Sequence, residues 1–297
     1  MGNSRFDART YSDYSSTHNL NTKSRDQVFT STSIPQALDP SKIELRESRD
    51  SDANPKSTPI ILGLDVTGSM GFIAESIAKT QLPEIMNSIY AELPVTDPHL
   101  MFMGIGDVYS DRAPLQVSQF EAEAIPLIEQ LRSLWLESNG GGNNSESYHL
   151  PWYFALTRTA IDSFEKRGHK GYIFTIGDEL VPPPLTESQL RRVFGSKGQY
   201  LEYSTSELLA KVQERYNVFH IVAEEGSYAR SNPGRVAAAW TEVLGPNVIR
   251  MKNHQNLPGI INATLKIANG GNIKQVLTES QIRSTLEYAF ENVLQSA

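Results

Sequence analysis

Long apolar runs alternate with helical patterns over most of the chain. Four runs have almost no polar side chain, at residues 60–64, 100–105, 172–176 and 218–222, and shorter ones lie at 115–117 and 248–250. Apolar runs of this kind are typical of strands that are buried on both faces of a parallel sheet. The alternation therefore predicts a three-layer, Rossmann-like α/β domain with a mostly parallel sheet and helices on both faces.

Helical patterns fill the segments between these runs. Between residues 70 and 90, isoleucines recur at helical spacing, and Pro83 predicts a break. Further helices are expected at 121–137, 149–166, 206–216 and 234–244. Near the C-terminus, a Thr-x-x-Gln capping-box pattern begins at Thr278 and predicts a last helix from there, which packs on the rest of the domain.

Residues 1–57 show a different pattern. They contain 16 Ser or Thr residues and eight basic against eight acidic side chains, and no helical or strand period is sustained. This composition favours a flexible arm. An arm that packs on its own domain, or on a neighbouring subunit of an oligomer, is the alternative. The chain is therefore divided into an N-terminal arm at 1–57, a domain at 58–270 and a C-terminal helical segment at 271–297.

The composition excludes several kinds of metal site, catalytic residue and partner. The chain has no cysteine, which excludes disulfides, thiolate zinc sites, iron–sulfur clusters and cysteine nucleophiles, so any metal must bind oxygen or imidazole. The 34 acidic and 27 basic residues give a formal charge of -7 without a long basic run, so nucleic acid is not an expected partner. No apolar stretch reaches the roughly 20 residues of a membrane-spanning helix, and no apolar signal core follows Met1. We expect a cytoplasmic protein with no membrane partner.

Oxygen-bearing side chains follow the ends of the predicted strands. Asp65, Thr67 and Ser69 come directly after the first strand, and Asp178 and Glu179 follow a later one. In an open parallel sheet, ligands bind beyond the carboxyl ends of the strands. Alternation in an extended segment directs the three oxygens of the first loop to one side, and hard cations such as Mg²⁺ prefer oxygen ligands. The first loop is therefore a candidate metal cradle, with a helix N-cap by Thr67 or Ser69 as the alternative.

Other residues near these loops have structural interpretations. Asp107, in a Gly-Ile-Gly-Asp segment after the second strand, is expected to cap a turn. His220 lies inside an apolar strand and is expected to be a hydrogen-bonded core residue. The aromatic residues between positions 148 and 154, which begin with Tyr148, are expected to belong to the core rather than to a ligand platform.

Three segments, taken in order, resemble a von Willebrand factor A-type (VWA) domain. Asp-Val-Thr-Gly-Ser-Met at 65–70 resembles the Asp-x-Ser/Thr-x-Ser core of the metal-ion-dependent adhesion site (MIDAS) of that family. The glycine-rich segment 140–147 resembles a loop that often reads Gly-Gly-Asp-x-Pro-Glu, and 174–179 resembles the strand that ends in a metal-contacting aspartate. The resemblance covers about residues 58–250 and is closest to the intracellular type of microbes and phages.

Carried over residue by residue, the resemblance implies five metal ligands: Asp65, Thr67, Ser69, Glu146 and Asp178. Glu146 matches the glutamate of the glycine-rich loop. The three residues before it, at 143–145, are alternatives, since Asn143 stands where the family usually has Asp. The implied cation is Mg²⁺, with Mn²⁺ or Ca²⁺ as alternatives.

The function that the resemblance implies is metal-dependent protein binding in a scaffold or assembly role. A partner protein would complete the coordination of the cation with an Asp or Glu carboxylate, and AAA-type ATPase systems are the partner class that intracellular members suggest. The chain is not expected to be an enzyme. Two alternatives stay open. One is a structural subunit with a vestigial metal site. The other is a Mg²⁺-dependent phosphatase of the haloacid-dehalogenase type with Asp65 as nucleophile, in which Thr67 stands where a carboxylate normally acts as general acid.

Overall fold

The computed structural model describes residues 4–68, 70–137 and 146–296. Its strands in these ranges are β1 (Arg46–Ser48), β2 (Thr58–Asp65), β3 (Pro98–Ile105), β4 (Leu115–Val117), β5 (Thr159–Ile161), β6 (Gly171–Gly177), β7 (Tyr216–Ala223) and β8 (Val248–Met251). Six of these described strands form a central sheet in the order β4–β3–β2–β6–β7–β8. Only β4 runs antiparallel to its described neighbour. The mostly parallel sheet predicted from the apolar runs is therefore confirmed.

Helices connect the strands. In the described ranges they are α1 (Ala8–Thr17), α2 (Arg25–Val28), α3 (Gly71–Ser76), α4 (Leu82–Glu92), α5 (Ala124–Arg132), α6 (Leu150–Arg158), α7 (Asp162–Arg167), α8 (Glu187–Phe194), α9 (Thr205–Val212), α10 (Ser227–Ser231), α11 (Pro233–Leu244), α12 (Leu257–Ala268), α13 (Ile273–Glu279), α14 (Arg283–Ala289) and α15 (Glu291–Ser296). None of these described helices combines the length and apolar character that crossing a lipid bilayer requires.

The break predicted at Pro83 takes a specific form. A π-helical segment, Ile77–Gln81, joins α3 to α4 and ends just before the proline. Pro83 then lies in the first turn of α4, where its missing N–H group costs little. The helix is therefore widened before the proline rather than broken at it.

Helices cover both faces of the central sheet. Alternate residues of a strand point to opposite faces, so Ile60 and Leu62 pack in one apolar core and Ile61 packs in the other. Residues of α4, α5 and α12 complete the first core, and residues of α6, α9 and α11 complete the second. Burial of both faces explains why the strands are continuous apolar runs. The three-layer α/β architecture is thus confirmed.

The N-terminal segment packs on the domain. Tyr11 and Leu20 are buried in the same core as α4 and α5, and the Tyr11 hydroxyl donates to the carbonyl oxygen of Ala78 at 2.6 Å. Of the alternatives for this segment, the structure therefore has the arm that packs on its own domain. The division into arm, domain and C-terminal segment stays a prediction, and so does an oligomer formed through the arm.

A network of charged groups fixes the end of the arm beside the amino end of the sheet. Asp162 is 2% exposed and accepts hydrogen bonds from Arg49 at 2.8 Å and from the Asp50 N–H group at 2.9 Å. Lys166 lies 2.6 Å from Asp162, and Arg167 donates to Asp50 at 2.6 Å. Burial by itself raises the pKa of Asp162, but the hydrogen bonds from Lys166, Asp50 and Arg49 outweigh it and hold the pKa at about 2.

The helix predicted at 149–166 is interrupted. Residues Thr159–Ile161 form β5, which pairs in parallel with β1 of the arm. The prediction of one continuous helix is therefore wrong, because a helical period does not reveal a strand partner that lies more than one hundred residues earlier in the chain. The sequence pattern also missed α8 and α12, although residues of both helices belong to the two cores.

The helix predicted from Thr278 is also corrected. Instead of one helix that begins there, the segment has three short helices, α13, α14 and α15, and α13 begins at Ile273 with Asn272 as its N-cap. Thr278 lies inside this helix, where its hydroxyl donates to the carbonyl oxygen of Lys274 at 2.7 Å. Leu286 of α14 is buried in the first core. The C-terminal segment therefore packs on the domain as expected, but from a different starting residue.

Candidate metal site at the carboxyl edge of the sheet

The candidate residues lie where two neighbouring parallel strands end. β2 ends at Asp65, and β6 ends at Gly177, one residue before Asp178. The two strands are hydrogen-bonded neighbours, with Leu64 in register with Ile176. Asp65 and Asp178 therefore leave the sheet at the same edge, where the loops of an open parallel sheet converge.

Asp65 is held from two sides. It is 1% exposed, and its Oδ1 accepts hydrogen bonds from the Thr67 N–H group at 3.0 Å and from the Thr67 hydroxyl at 2.5 Å. Its Oδ2 accepts a hydrogen bond from the Tyr148 hydroxyl at 2.8 Å. The N-cap of α3 is Met70, with no side-chain cap, so the N-cap alternative is wrong for Thr67. Because the Thr67 hydroxyl is the donor in its hydrogen bond to Asp65, the lone pairs of its oxygen stay available to bind a cation.

Tyr148 belongs to this site as well as to the core. Its ring is fully buried and contacts His220 and Trp240 edge-on, with ring centroids 5.0 and 5.6 Å apart, so the predicted core role is confirmed. Its hydroxyl donates to Asp65 and lies 3.4 Å from the Glu179 N–H group, which donates to it. Sequence reasoning missed this second role, because the contact joins residues 83 positions apart.

Two glycines make room for the site. A Cβ atom on Gly177 would lie 2.1 Å from the Tyr148 hydroxyl oxygen, and a Cβ atom on Gly226 would lie 2.3 Å from Cβ of Asp178. Gly226 thus lets the loop after β7 lie directly against Asp178, whose Oδ2 accepts a hydrogen bond from the Tyr228 N–H group at 2.9 Å. Only glycine fits at either position while these neighbours stay in place.

Glu146 is buried without a partner. Its side chain is 1% exposed, and neither carboxylate oxygen has a hydrogen-bond partner among the described residues. Oε2 of Glu179 is likewise buried and unpaired within the described ranges. Buried polar groups are almost always hydrogen-bonded, because an unpaired one keeps the cost of losing water. These two carboxyl groups therefore require an explanation beyond packing.

The carboxyl groups at this edge act on one another. Burial raises the pKa of Glu146 to about 10, and the charges of Asp65 and Glu179 add to the rise. Burial also raises the pKa of Asp65 to about 7 against the hydrogen bond from Thr67, with a further contribution from the charge of Asp178. The pKa of Glu179 rises to about 8 through burial and the charges of Asp65 and Asp178. Without a compensating positive charge, these groups cannot all be ionised near neutral pH.

Four of the five predicted ligands lie at this edge: Asp65, Thr67, Glu146 and Asp178. Ser69 and the alternatives at 143–145 lie outside the described residues. Within 4–68, 70–137 and 146–296, no three Asp, Glu or His side chains are arranged to hold a metal ion. The ligand set therefore stays a prediction. Glu179 was not among the ligands predicted from the sequence. Its position beside Asp178 at the end of a strand could have indicated it.

Two structural predictions near the site are confirmed. Asp107 caps a turn, since its carboxylate accepts hydrogen bonds from the Tyr109 N–H group at 2.9 Å and from the Ser110 hydroxyl at 2.8 Å. His220 is a fully buried core residue, with Nδ1 2.9 Å from the Thr175 hydroxyl oxygen. Burial lowers the pKa of His220 well below its usual range, so the ring is neutral at physiological pH.

Comparison with known proteins adds little to this geometry. No protein-family profile matches the chain, and no curated protein matches it. Among solved structures, a pilus adhesin from Lactobacillus rhamnosus GG in its open conformation matches 75% of this chain at 10% identity with a TM-score of 0.44, over 31% of the adhesin. A structure described as von Willebrand factor type A from Catenulispora acidiphila matches 72% of this chain at 12% identity with a TM-score of 0.38, over 43% of its length.

A proximal thread matrix protein of the mussel byssus also matches, over 72% of this chain and 48% of its own, at 9% identity and a TM-score of 0.42. The chain thus spans less than half the length of each of these three proteins. Because the scores are low, the assignment of the fold rests on the sheet order and the layers of the chain itself.

Proposed function

We propose that the chain is a protein-binding module that uses a divalent cation at the carboxyl edge of its sheet. The observation that carries this proposal is the buried carboxyl group of Glu146, whose two oxygens have no hydrogen-bond partner among the described residues. Asp65, Asp178 and Glu179 place further carboxyl groups at the same edge. In the described ranges, none of the four forms an ion pair or a side-chain hydrogen bond with a Lys or Arg side chain.

The energetic argument is one of charge compensation. An ionised carboxylate that loses water without gaining a partner costs several kcal/mol. This edge can avoid that cost in two ways, by keeping protons on its carboxyl groups or by binding a cation. A divalent cation compensates two negative charges at once, and hard cations take carboxylate and hydroxyl oxygens as ligands.

The proposed cation is Mg²⁺, with Mn²⁺ or Ca²⁺ as alternatives. Its proposed ligands are Asp65, Thr67, Ser69, Glu146 and Asp178. The hydrogen bonds of Thr67 support this set, because they orient Asp65 and leave the hydroxyl oxygen free to bind. The unpaired Oε2 of Glu179 makes that residue a further candidate. When bound, the cation would offer a coordination position to an Asp or Glu carboxylate of a partner protein.

The residues of the chain prepare this contact. Tyr148 and Thr67 fix the carboxylate of Asp65, the Tyr228 N–H group fixes that of Asp178, and burial keeps solvent away from Glu146. A scaffold or assembly role and an AAA-type ATPase as the partner stay predictions that rest on the sequence resemblance alone, and a cytoplasmic location stays a prediction from the apolar pattern of the sequence.

The two alternatives make different demands on the same residues. A vestigial site would leave Glu146 protonated and would not respond to metal. A phosphatase would need a carboxylate two positions after Asp65 as general acid, whereas that position is Thr67, whose hydroxyl donates to Asp65. This observation favours binding over phosphoryl transfer.

Thermal melting of the full chain, in EDTA and in millimolar Mg²⁺ or Mn²⁺, tests the proposal. A cation present at about 100 times its Kd adds about 2.7 kcal/mol of stability. In a protein of this size, that raises the melting temperature by about 4 °C. Glu146→Gln should abolish the rise, because the amide lacks the negative charge that holds the cation. Glu242→Gln, at an exposed position of α11, is the matched control and should keep the rise.

The outcomes separate the three functions. No rise in the wild type would favour the vestigial site, and an equal rise in Glu146→Gln would exclude Glu146 from the ligands. Affinity purification from the native host, with wild type and Asp65→Ala in Mg²⁺ and in EDTA, tests the partner contact. A partner retained equally well in EDTA would contradict a cation-bridged complex. Hydrolysis of a generic phosphate ester that disappears in Asp65→Asn would instead support the enzyme.

A further inference from the structure

A carbonyl group in the helix after the first loop, the loop that follows β2, receives its hydrogen bond from the arm. In the π-helical segment Ile77–Gln81, the Leu82 N–H group donates to the carbonyl oxygen of Ile77. In an α-helix it would donate to Ala78 instead. The residue that could serve Ala78 at π-helical spacing is Pro83, which has no N–H group. The Ala78 carbonyl therefore has no donor in its own helix.

Tyr11 of the arm supplies the missing donor. Its hydroxyl lies 2.6 Å from the carbonyl oxygen of Ala78, in a contact that joins residues 67 positions apart. Ala78 is fully buried and Tyr11 is 4% exposed, so little water can reach this carbonyl group. A buried carbonyl group without a donor keeps the cost of losing water. The Tyr11 hydroxyl thus stabilises the π-helical form of the segment.

Two local costs oppose each other in this segment. In a continuous α-helix, the ring of Pro83 would collide with the carbonyl group of Lys79, four residues earlier. The π-helical form places Pro83 in the first turn of α4, where a proline is tolerated, but it leaves Ala78 without a helical donor. Because each form carries one cost, a single hydrogen bond to Ala78 can decide between them. Tyr11 provides that bond in the π-helical form.

The form of this segment sets the position of the first loop. A π-helical turn holds one residue more than an α-helical turn, so a change of form would shift α3 against α4 by about 1.5 Å along the axis and about 100° around it. α3 begins directly after the loop, and the N–H groups of Met70 and Gly71 donate to the carbonyl oxygen of Thr67 at 2.9 and 3.3 Å. A shift of α3 would therefore move Thr67, which orients Asp65.

The arm also contacts α3 directly. Arg25 Nε donates to Glu75 Oε2 at 3.0 Å, and a Cβ atom on Gly71 would lie 3.2 Å from Arg25 Nη1. In the π-helical segment, Lys79 donates to the carbonyl oxygen of Lys23 at 2.7 Å and to Glu75 at 2.6 Å. The arm thus holds both the first turn of α3 and the segment that follows this helix.

We propose that Tyr11 is a positioning residue for the first loop. Its hydroxyl keeps the segment after α3 in the π-helical form, and this form holds Asp65 and Thr67 where they can share a cation. The effect on a cation rests on the proposed function, whereas the effect on the helix does not. The arm is then a part of the binding module rather than an appendage to it.

Titration calorimetry of the full chain with Mn²⁺, together with urea unfolding in EDTA, tests this role in Tyr11→Phe. The variant keeps the buried ring and removes only the donor, so we expect Mn²⁺ affinity to be about fivefold weaker. Tyr14→Phe is the matched control on the same helix, because the Tyr14 hydroxyl accepts its hydrogen bond from Arg132 of α5 at 2.7 Å. This control should lose stability as well, but its Mn²⁺ affinity should stay within about twofold of the wild type.

Hydrogen exchange of the same variants in EDTA follows the helix without any cation. In Tyr11→Phe, the amide groups of α3 and of the π-helical segment should exchange about fivefold faster than in the wild type, because the π-helical form has lost its bond from the arm. In Tyr14→Phe, these amide groups should keep the wild-type rate.

The outcomes separate positioning from packing. Reduced stability of Tyr11→Phe with Mn²⁺ affinity within twofold of the wild type would restrict Tyr11 to packing and overturn the proposal. Equal losses of affinity in Tyr11→Phe and Tyr14→Phe would also overturn it, since they would reflect general destabilisation. If the wild type binds no Mn²⁺, the proposed function fails, and the exchange rates decide alone. Unchanged rates in Tyr11→Phe would then overturn the role of Tyr11, and faster rates would support it.

Discussion

The two ends of the central sheet carry the same kind of side chain in opposite electrostatic states. Near the amino end, Asp162 and Asp50 are held by Arg and Lys side chains, and the pKa of each lies below its usual range. At the carboxyl end, Asp65 and Glu146 lack any such partner among the described residues, and the pKa of each is raised. Burial opposes the charged form at both ends, so the partner makes the difference. The carboxyl groups of the amino end are paired with cationic side chains, whereas those of the carboxyl end are the ones that the proposed cation would compensate.

The largest expected effect is at the amino end of the sheet, where the carboxylates are paired with cationic side chains. Asp162→Asn should lower the free energy of unfolding by about 3 kcal/mol, because it leaves Arg49 and Lys166 without their buried counter-charge. Urea unfolding of the two proteins in EDTA at neutral pH measures the difference. A loss below about 0.5 kcal/mol would mean that the network adds no stability beyond that of an exposed pair.

The pH dependence of the paired end is the next largest effect. The pKa of Asp162 is about 2 in the folded chain, below its usual 3.8, so its contribution to stability is fully present above about pH 4 and is lost as the pH falls towards 2. The shift corresponds to about 2 kcal/mol. The difference in unfolding free energy between wild type and Asp162→Asn should therefore shrink as the pH is lowered from 5 to about 2. A difference that stays constant over this range would contradict the low pKa.

Tyr148→Phe has an intermediate effect at the carboxyl end. The variant keeps the buried ring but removes the donor to Asp65 Oδ2, and losing such a bond costs about 1–2 kcal/mol. Urea unfolding in EDTA measures this cost. Binding of Mn²⁺, followed by calorimetry, should weaken as well, because Asp65 loses the group that orients it. Unchanged Mn²⁺ affinity together with reduced stability would restrict Tyr148 to packing.

The smallest expected effect, at Glu146, is the most direct test of the difference between the two ends of the sheet. In EDTA at neutral pH, Glu146→Gln should change the unfolding free energy by less than about 0.5 kcal/mol, because the pKa of Glu146 is about 10 and the amide resembles the protonated carboxyl group. The same carboxyl-to-amide replacement is thus expected to be costly at Asp162 and nearly neutral at Glu146. Equal losses in the two variants would remove the distinction between the ends.

The strands were predictable because burial on both faces leaves a direct trace in the sequence. The apolar runs located β2, β3, β6 and β7, and the strand-end rule placed Asp65 and Asp178 at one edge. β1 and β5 were missed, because three-residue strands with a distant partner leave no period. The packing of the arm on its own domain was predicted only as an alternative, since its buried residues, such as Tyr11 and Leu20, are too irregularly spaced to show a helix face.

Only those features of the candidate site that follow from residue type and from the positions of strand ends could be predicted. Thr67 and Asp178 follow from the loop pattern, but the unpaired state of Glu146 is a property of the folded surroundings. The role of Tyr148 depends on a contact between distant parts of the chain. From the sequence, a tyrosine in an aromatic segment is expected to be a core residue. Sequence reasoning therefore named candidate ligands but not the groups that orient them.

The close fit of Gly177 against Tyr148 has an evolutionary consequence. Since a Cβ atom at position 177 would collide with the tyrosine hydroxyl, position 177 must remain glycine as long as Tyr148 is present. In related chains, a residue larger than glycine at 177 should appear only together with a smaller residue at 148. Such a lineage would also have lost the phenol that holds the first aspartate. Paired change at these two positions would therefore mark descendants in which this edge has taken up another task.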